Sequence, residues 1–257
     1  MNYHLSASRN RQILCLIFLR FITLLLTKGT RSMKYKVVLF DADNTLFDYD
    51  QAQEFALRQA FYEFGLDYGD DWLSRYRSIN EFFWRKLENG TIMATELRYK
   101  RFEALFENRL KVDPVSFSES YLDKLSEGRF LLEGAQEVVA ELAPKYVLAI
   151  VTNGLKEVQL PRFQGSPLSK FIKFLIISEE VGHKKPDAGI FDCALRAVQH
   201  AERSSVIMIG DSLTSDIKGG FDYGIDTCWY NPGGILNPSG IEPNYEIKHL
   251  NELLGIL

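Results

Sequence analysis

The chain has 257 residues, 46% of them hydrophobic and 25% charged, with a formal net charge of -4. That length supports one sizeable core and a smaller second unit, and the acidic balance excludes a protein that coats nucleic acid while leaving room for a local basic pocket for a small anion. Cys15, Cys193 and Cys228 are too few and too scattered for a disulfide framework or a zinc site, which fits a reducing, cytoplasmic setting.

At the N-terminus, Arg9 and Arg11 precede an apolar stretch over 13–26 that Arg20 interrupts. At about 1.5 Å per residue this run reaches roughly 21 Å, short of the roughly 30 Å hydrocarbon core, so no stable membrane span is expected. Met33-Lys34-Tyr35-Lys36 leads directly into an apolar run, and we read Met33 as the natural start and residues 1–32 as an N-terminal extension that is not native. A membrane-associating leader is the alternative. The run over 36–40 reads as a strand buried on both faces, and Asp41-Ala42-Asp43-Asn44-Thr45 follows it. Ligands of open α/β sheets gather beyond the carboxyl ends of such strands, so this carboxylate pair is placed for chemistry.

From 50 to 127 the pattern is helical and aromatic. A capping box at Asp50–Gln53 opens the first helix and Gly65 stops it; a second helix runs over 72–87 and halts at Asn89-Gly90. Thr95 caps a third, and Ser116–Glu119 opens a fourth. Phe55, Tyr62, Trp72, Tyr76, Phe82, Phe83, Trp84 and Tyr99 are expected mostly in the core of this bundle, with one or two facing a cleft. After Gly134, a helix over 135–142 and strands over 146–151, 174–178, 206–209 and 227–230 alternate with helical stretches around Lys156, Ala194 and Ile217. This is the rhythm of a parallel sheet, so the chain reads as one α/β domain with a helical bundle inserted after its first strand.

Polar clusters fall at the ends of these strands: Asp41 and Asp43, Thr152-Asn153-Gly154, Lys184-Lys185-Pro186-Asp187, and Gly210-Asp211 through Asp216. Taken singly, each serves equally well as a turn or a helix cap. In a parallel sheet all of them face one edge and converge in one pocket. Carboxylate oxygens without nitrogen or sulfur ligands suit a hard cation such as Mg²⁺. With a lysine, a hydroxyl and loop amides added, the set suits phosphoryl transfer, one aspartate attacking phosphorus while its neighbour handles the proton.

In this order, D-A-D-N-T, T-N-G, K-P-D and G-D-x-x-x-x-D resemble the motifs of the haloacid dehalogenase (HAD) superfamily, over nearly all of 34–257. The fuller strings around Asp41, Thr152 and Asp211 further resemble its YjjG-type pyrimidine 5′-nucleotidases. The resemblance implies a Rossmann-like core domain from 33–49 and 128–257 and a helical C1-type cap over 50–127. It makes Asp41 the nucleophile and Asp43 the general acid and base, and gives the substrate phosphate to Asp43, Thr152, Asn153, Gly154 and Lys185. Mg²⁺ falls to Asp41, the Asp43 carbonyl and Asp211, with Asp216 in support. Lys185 is chosen over Lys184 because it directly precedes Pro186. The implied activity is Mg²⁺-dependent hydrolysis of nucleoside 5′-monophosphates through an aspartyl phosphate. A sugar-phosphate phosphatase, a phosphomutase and a non-catalytic binding protein are the alternatives. The implied partner is a small phosphorylated substrate, and no nucleic acid.

Overall fold

The computed structural model describes residues 33–107 and 109–257. Its strands, β1 (Val37–Phe40), β2 (Val147–Thr152), β3 (Phe174–Ile177), β4 (Val206–Gly210), β5 (Asp226–Tyr230) and β6 (Tyr245–Ile247), form one six-stranded sheet in the order β3-β2-β1-β4-β5-β6. Every pairing is parallel. The reading of residues 1–32, Cys15 included, lies outside the described residues.

β1 is central and wholly buried, as a continuous apolar run requires. Its side chains alternate between the two faces: Val38 and Phe40 join Leu148, Ile150, Ile207 and Ile209, whereas Val37 and Leu39 join Ala149, Val151, Val206 and Met208. Phe40 pairs in register with Ile150 of β2 and Ile209 of β4, so the loops after these three strands open side by side. The expected strands differ from the observed ones by a single residue at one or both ends. β6 was not expected: it is a short edge strand with Glu246 exposed, too brief and too polar to stand out.

Between β1 and β2 lie α1 (Tyr49–Glu63), α2 (Asp71–Glu88), α3 (Ala94–Phe106), α4 (Pro114–Glu127) and α5 (Ala135–Leu142). The first four build a core of their own from Phe61, Trp72, Tyr76, Phe102, Phe106, Phe117 and Tyr121. Their starts differ from expectation. Asp48, not Asp50, caps α1 by accepting from the Gln51 amide at 2.8 Å, while Asp50 accepts from the Gln53 side chain. α3 begins after Met93, whose amide is held by Glu96, and Asp113 caps α4 with Pro114 at its first position. At α1 and α4 an earlier carboxylate reaches the free amides first. Of the eight aromatics expected mostly in the core, Trp72 and Tyr76 are buried, Phe55, Phe83, Trp84 and Tyr99 are half-buried, and Tyr62 and Phe82 are exposed.

After β2 come α6 (Lys156–Gly165), α7 (Ser178–Val181), α8 (Ala188–Ala197), α9 (Lys218–Tyr223) and α10 (Leu253–Ile256). Leu155 and Val158 at the start of α6 pack into the core of the helical block. Cys193 is half-buried and Cys228 buried, both as free thiols. Among the described residues no helix is long and apolar enough to cross a membrane.

The Phe117 ring meets Phe61, Phe64, Phe102 and Phe106 at centroid distances between 4.7 and 5.5 Å. Replacing it by alanine leaves a cavity at the hub of the helical block, and Phe117→Ala is expected to cost about 3–5 kcal/mol in urea denaturation.

Candidate active site

Asp41 follows β1 directly and is held in place by its amide, which donates to the Ile209 carbonyl at 2.8 Å. The chain then turns through Asn44, whose φ of 58° lies in the left-handed region that asparagine tolerates, and the Asn44 amide donates to the Phe47 carbonyl. This tight loop puts Asp41 and Asp43 at the sheet edge with different neighbours.

Lys185 is 1% exposed, and its ammonium finds three acceptors: a carboxylate oxygen of Asp41, the Val151 carbonyl at 2.6 Å, and Asp216 at 2.7 Å. Three donors with three partners satisfy the buried cation fully. Its backbone is clasped by Asn153, whose side chain accepts from the Lys185 amide at 2.8 Å and donates to the Lys185 carbonyl at 2.9 Å. Lys184 points elsewhere, donating to the Leu87 and Glu88 carbonyls at the end of α2, where a cation suits the helix terminus. Thr152, at the end of β2, is buried, and its hydroxyl oxygen accepts from the Gly154 amide at 3.2 Å.

β4 ends at Gly210, where an added Cβ would sit 2.2 Å from an Asp216 oxygen, so only glycine lets Asp216 fold back across the strand end. Asp216 lies in a single π-helical turn, Leu213–Ile217, and is wholly buried. One of its oxygens meets Lys185 and the other accepts from the Ser212 amide at 3.0 Å. Asp211 is flanked by the buried Thr45 hydroxyl, which also accepts from the Asp211 amide at 3.1 Å. Asp41, Asp211 and Asp216 each bring a carboxylate oxygen to within 4.8 Å of the others.

Such crowding has electrostatic consequences. Burial holds the Asp41 carboxyl well above the usual carboxylate range; Lys185 pulls it back, and Asp216 and Asp211 push it further up. Asp211 is pushed up to about 7, by burial first and then by Asp216. Burial works against the Lys185 cation, but Asp216 and Asp41 outweigh it and keep its pKa above the ordinary lysine range. An all-oxygen donor set under mutual repulsion fits a hard divalent cation.

Asp43 turns away from this cluster toward α6. Its carboxylate accepts from Gln159 at 2.7 Å and from Arg162, and Arg162 also donates to the Gln159 side-chain oxygen at 2.8 Å. Neither residue, nor Thr45, was singled out from the sequence. The available signal was a glutamine and an arginine three apart on a helix whose Val158 and Phe163 are apolar and buried.

Asp41, Asp43, Tyr49, Thr152, Lys185 and Asp216 line a cavity of about 250 Å³. A second cavity of about 280 Å³ adjoins it, and Trp84, Glu88, Asn153 and Gly154 line both. Trp84 of α2, like Tyr49 of α1, is thus an aromatic of the helical block that faces the cleft.

The pKa of Asp211 sets a pH test. A carboxyl raised to about 7 in the folded protein binds its proton more tightly there than when unfolded. Its stabilising contribution is complete below about pH 4 and lost as pH rises through about 7. In calorimetry of metal-free protein, wild type is expected to lose more Tm than Asp211→Asn between about pH 5 and about pH 8, and added Mg²⁺ to raise the wild-type Tm more at the higher pH. Parallel pH profiles for the two proteins would contradict this.

A family model described as haloacid dehalogenase-like hydrolase matches residues 35–224. The solved structure of YfnB from Bacillus subtilis, bound to magnesium and described as revealing interdomain movement, superposes with a TM-score of 0.82 at 36% identity, covering 87% of this chain and 99% of that one. The pyrimidine 5′-nucleotidase YjjG of Escherichia coli (strain K12) is 34% identical over 88% of this chain and 99% of its own length. The pyrimidine 5′-nucleotidase PynA of Streptococcus pneumoniae is 35% identical over 88% of this chain and 96% of its own.

Proposed function

The chain belongs to the haloacid dehalogenase-like hydrolases, and we propose that it is a Mg²⁺-dependent phosphomonoesterase that hydrolyses nucleoside 5′-monophosphates, pyrimidine nucleotides foremost, through an aspartyl phosphate. The observation that carries this reading is the Lys185 ammonium seated between Asp41 and Asp216 in a cavity that continues past Trp84 into a second one. The first cavity suits a phosphate and the second its leaving group. The names of YjjG and PynA support the choice of nucleotide.

In this mechanism Lys185 fixes one Asp41 oxygen and leaves the other to attack phosphorus. Because the Thr152 oxygen accepts from the Gly154 amide, its own proton is free for a phosphoryl oxygen, and Lys185 neutralises charge nearby. Asp43 donates a proton to the departing 5′ oxygen as the phosphorus–oxygen bond breaks. It then takes a proton from the water that attacks phosphorus, which releases phosphate and restores Asp41. Asp41, Asp211 and the Asp43 carbonyl would hold Mg²⁺, which when bound neutralises the phosphoryl oxygens, and the bound magnesium of YfnB supports that assignment. Asp216, one oxygen on Lys185 and the other on the Ser212 amide, supports the metal from beside it or through water.

Residues 50–127 act as the C1-type cap over a core of 33–49 and 128–257. Trp84 offers a face for a pyrimidine ring and Glu88, one helical turn on, an acceptor. The Tyr49 hydroxyl accepts from Asn80 at 3.2 Å and so keeps its proton for the substrate. Phosphate release from a panel of nucleoside monophosphates and sugar phosphates, with and without Mg²⁺, tests the reading. Pyrimidine nucleotides are expected to be the best substrates, metal-dependent, with activity abolished in Asp41→Asn. Equal or faster turnover of sugar phosphates would overturn the nucleotide assignment, and unchanged activity in Asp41→Asn would overturn the mechanism.

A further inference from the structure

We infer that Arg162, together with Gln159, is a positioning residue that holds the Asp43 carboxylate in its working orientation; this rests on the role proposed for Asp43. Arg162 is wholly buried and is not among the residues that line the phosphate cavity, so it does not touch substrate. It meets one Asp43 oxygen, Gln159 meets the other at 2.7 Å, and the bond from Arg162 to Gln159 at 2.8 Å closes a ring of three side chains. The guanidinium lies 4.8 Å from the Phe47 ring, at the far end of the turn that follows Asp43.

The surroundings are shaped to this arrangement. A Cβ at Gly154 would fall 2.1 Å from the Gln159 amide nitrogen, so the glycine of T-N-G leaves the space through which Gln159 reaches Asp43. Among the described residues the Nε and Nη1 atoms of Arg162 find no hydrogen-bond partner, so the hydrogen bonds of this buried guanidinium go to Asp43 and Gln159 alone. The engagement of Asp43 does not block it, since each carboxylate oxygen has a second lone pair and the side chain still lines the cavity. What the ring removes is the freedom of an aspartate on a loop to leave the line of the departing oxygen.

The test exploits the leaving group. An alkoxide needs a proton as it departs, whereas 2,4-dinitrophenolate does not, and kcat/KM reports only steps through the first phosphoryl transfer. Arg162→Met is expected to lose about 100-fold in kcat/KM for alkyl phosphates (a nucleoside monophosphate and glycerol phosphate) and less than about threefold for 2,4-dinitrophenyl phosphate, with Arg162→Lys recovering part of the loss. Gln159→Leu is expected to show the same selectivity at smaller size, and carries the test should Arg162→Met fail to fold. Equal losses on alkyl and aryl esters would reduce Arg162 to a packing role, and a gain on alkyl esters would make the ring a restraint on Asp43; either overturns the inference. A wild-type enzyme active on glycerol phosphate but not on nucleotides would overturn the proposed substrate and leave this comparison intact.

Discussion

A lysine ammonium buried at the edge of a parallel sheet is the constraint around which the rest of the molecule is arranged. Left unpaired in that environment, a cation is untenable, and Lys185 is tolerated because Asp41, Asp216 and the Val151 carbonyl take all its donors. The same pairing decides what the carboxylates can do. It ties one oxygen of Asp41 and one of Asp216 to the cation and leaves the other Asp41 oxygen uncommitted, while burial and the nearby Asp216 raise the pKa of Asp211. In the proposed reaction these become nucleophile, supporting anion and metal ligand, so one buried charge distributes the roles of its neighbours.

The sheet makes that pairing possible. With β2 and β4 on either side of β1, the loops that carry Thr152 and Asp211 open next to Asp41, although the sequence separates them by more than a helical bundle. Close approach is then arranged by missing atoms. Gly210 lets Asp216 cross the end of β4, and Gly154 lets Gln159 cross toward Asp43. Asn153 works through its side chain, fastening the Lys185 backbone.

The helical block keeps its own aromatic core, yet polar ties join it to the loops of the sheet. Lys184 holds the last carbonyls of α2, and Arg98 of α3 pairs with Glu157 and Glu179 beyond β2 and β3 at 2.7 and 2.8 Å. These are exposed or half-exposed contacts, individually weak and salt-sensitive. Contacts of this kind break and re-form at small cost. α6 touches both parts, packing Val158 into the helical block and presenting Gln159 and Arg162 to Asp43.

Much of this was written locally. Strands over Val37–Phe40 and Val206–Gly210 announce themselves because a strand buried on both faces must be apolar throughout, and helix ends at Gly65 and Asn89 follow from backbone chemistry. Cap positions slipped by a few residues because Asp48, Asp50, Asp113 and Ser116 compete for the same amides and only three-dimensional reach selects among them. The polar residues at strand ends could be collected into one site from the parallel topology alone, since that edge is common to all the strands. By itself, then, the sequence determined five of the six strands, the inserted helices and the acidic edge where Asp41, Asp43, Thr152, Lys185 and Asp211 gather. Only the tertiary structure decided that one ammonium is shared between Asp41 and Asp216, that Lys184 turns instead to the end of α2, and that Asp43 belongs to Arg162 and Gln159. Those choices depend on distances between side chains remote in sequence, and no local pattern encodes them.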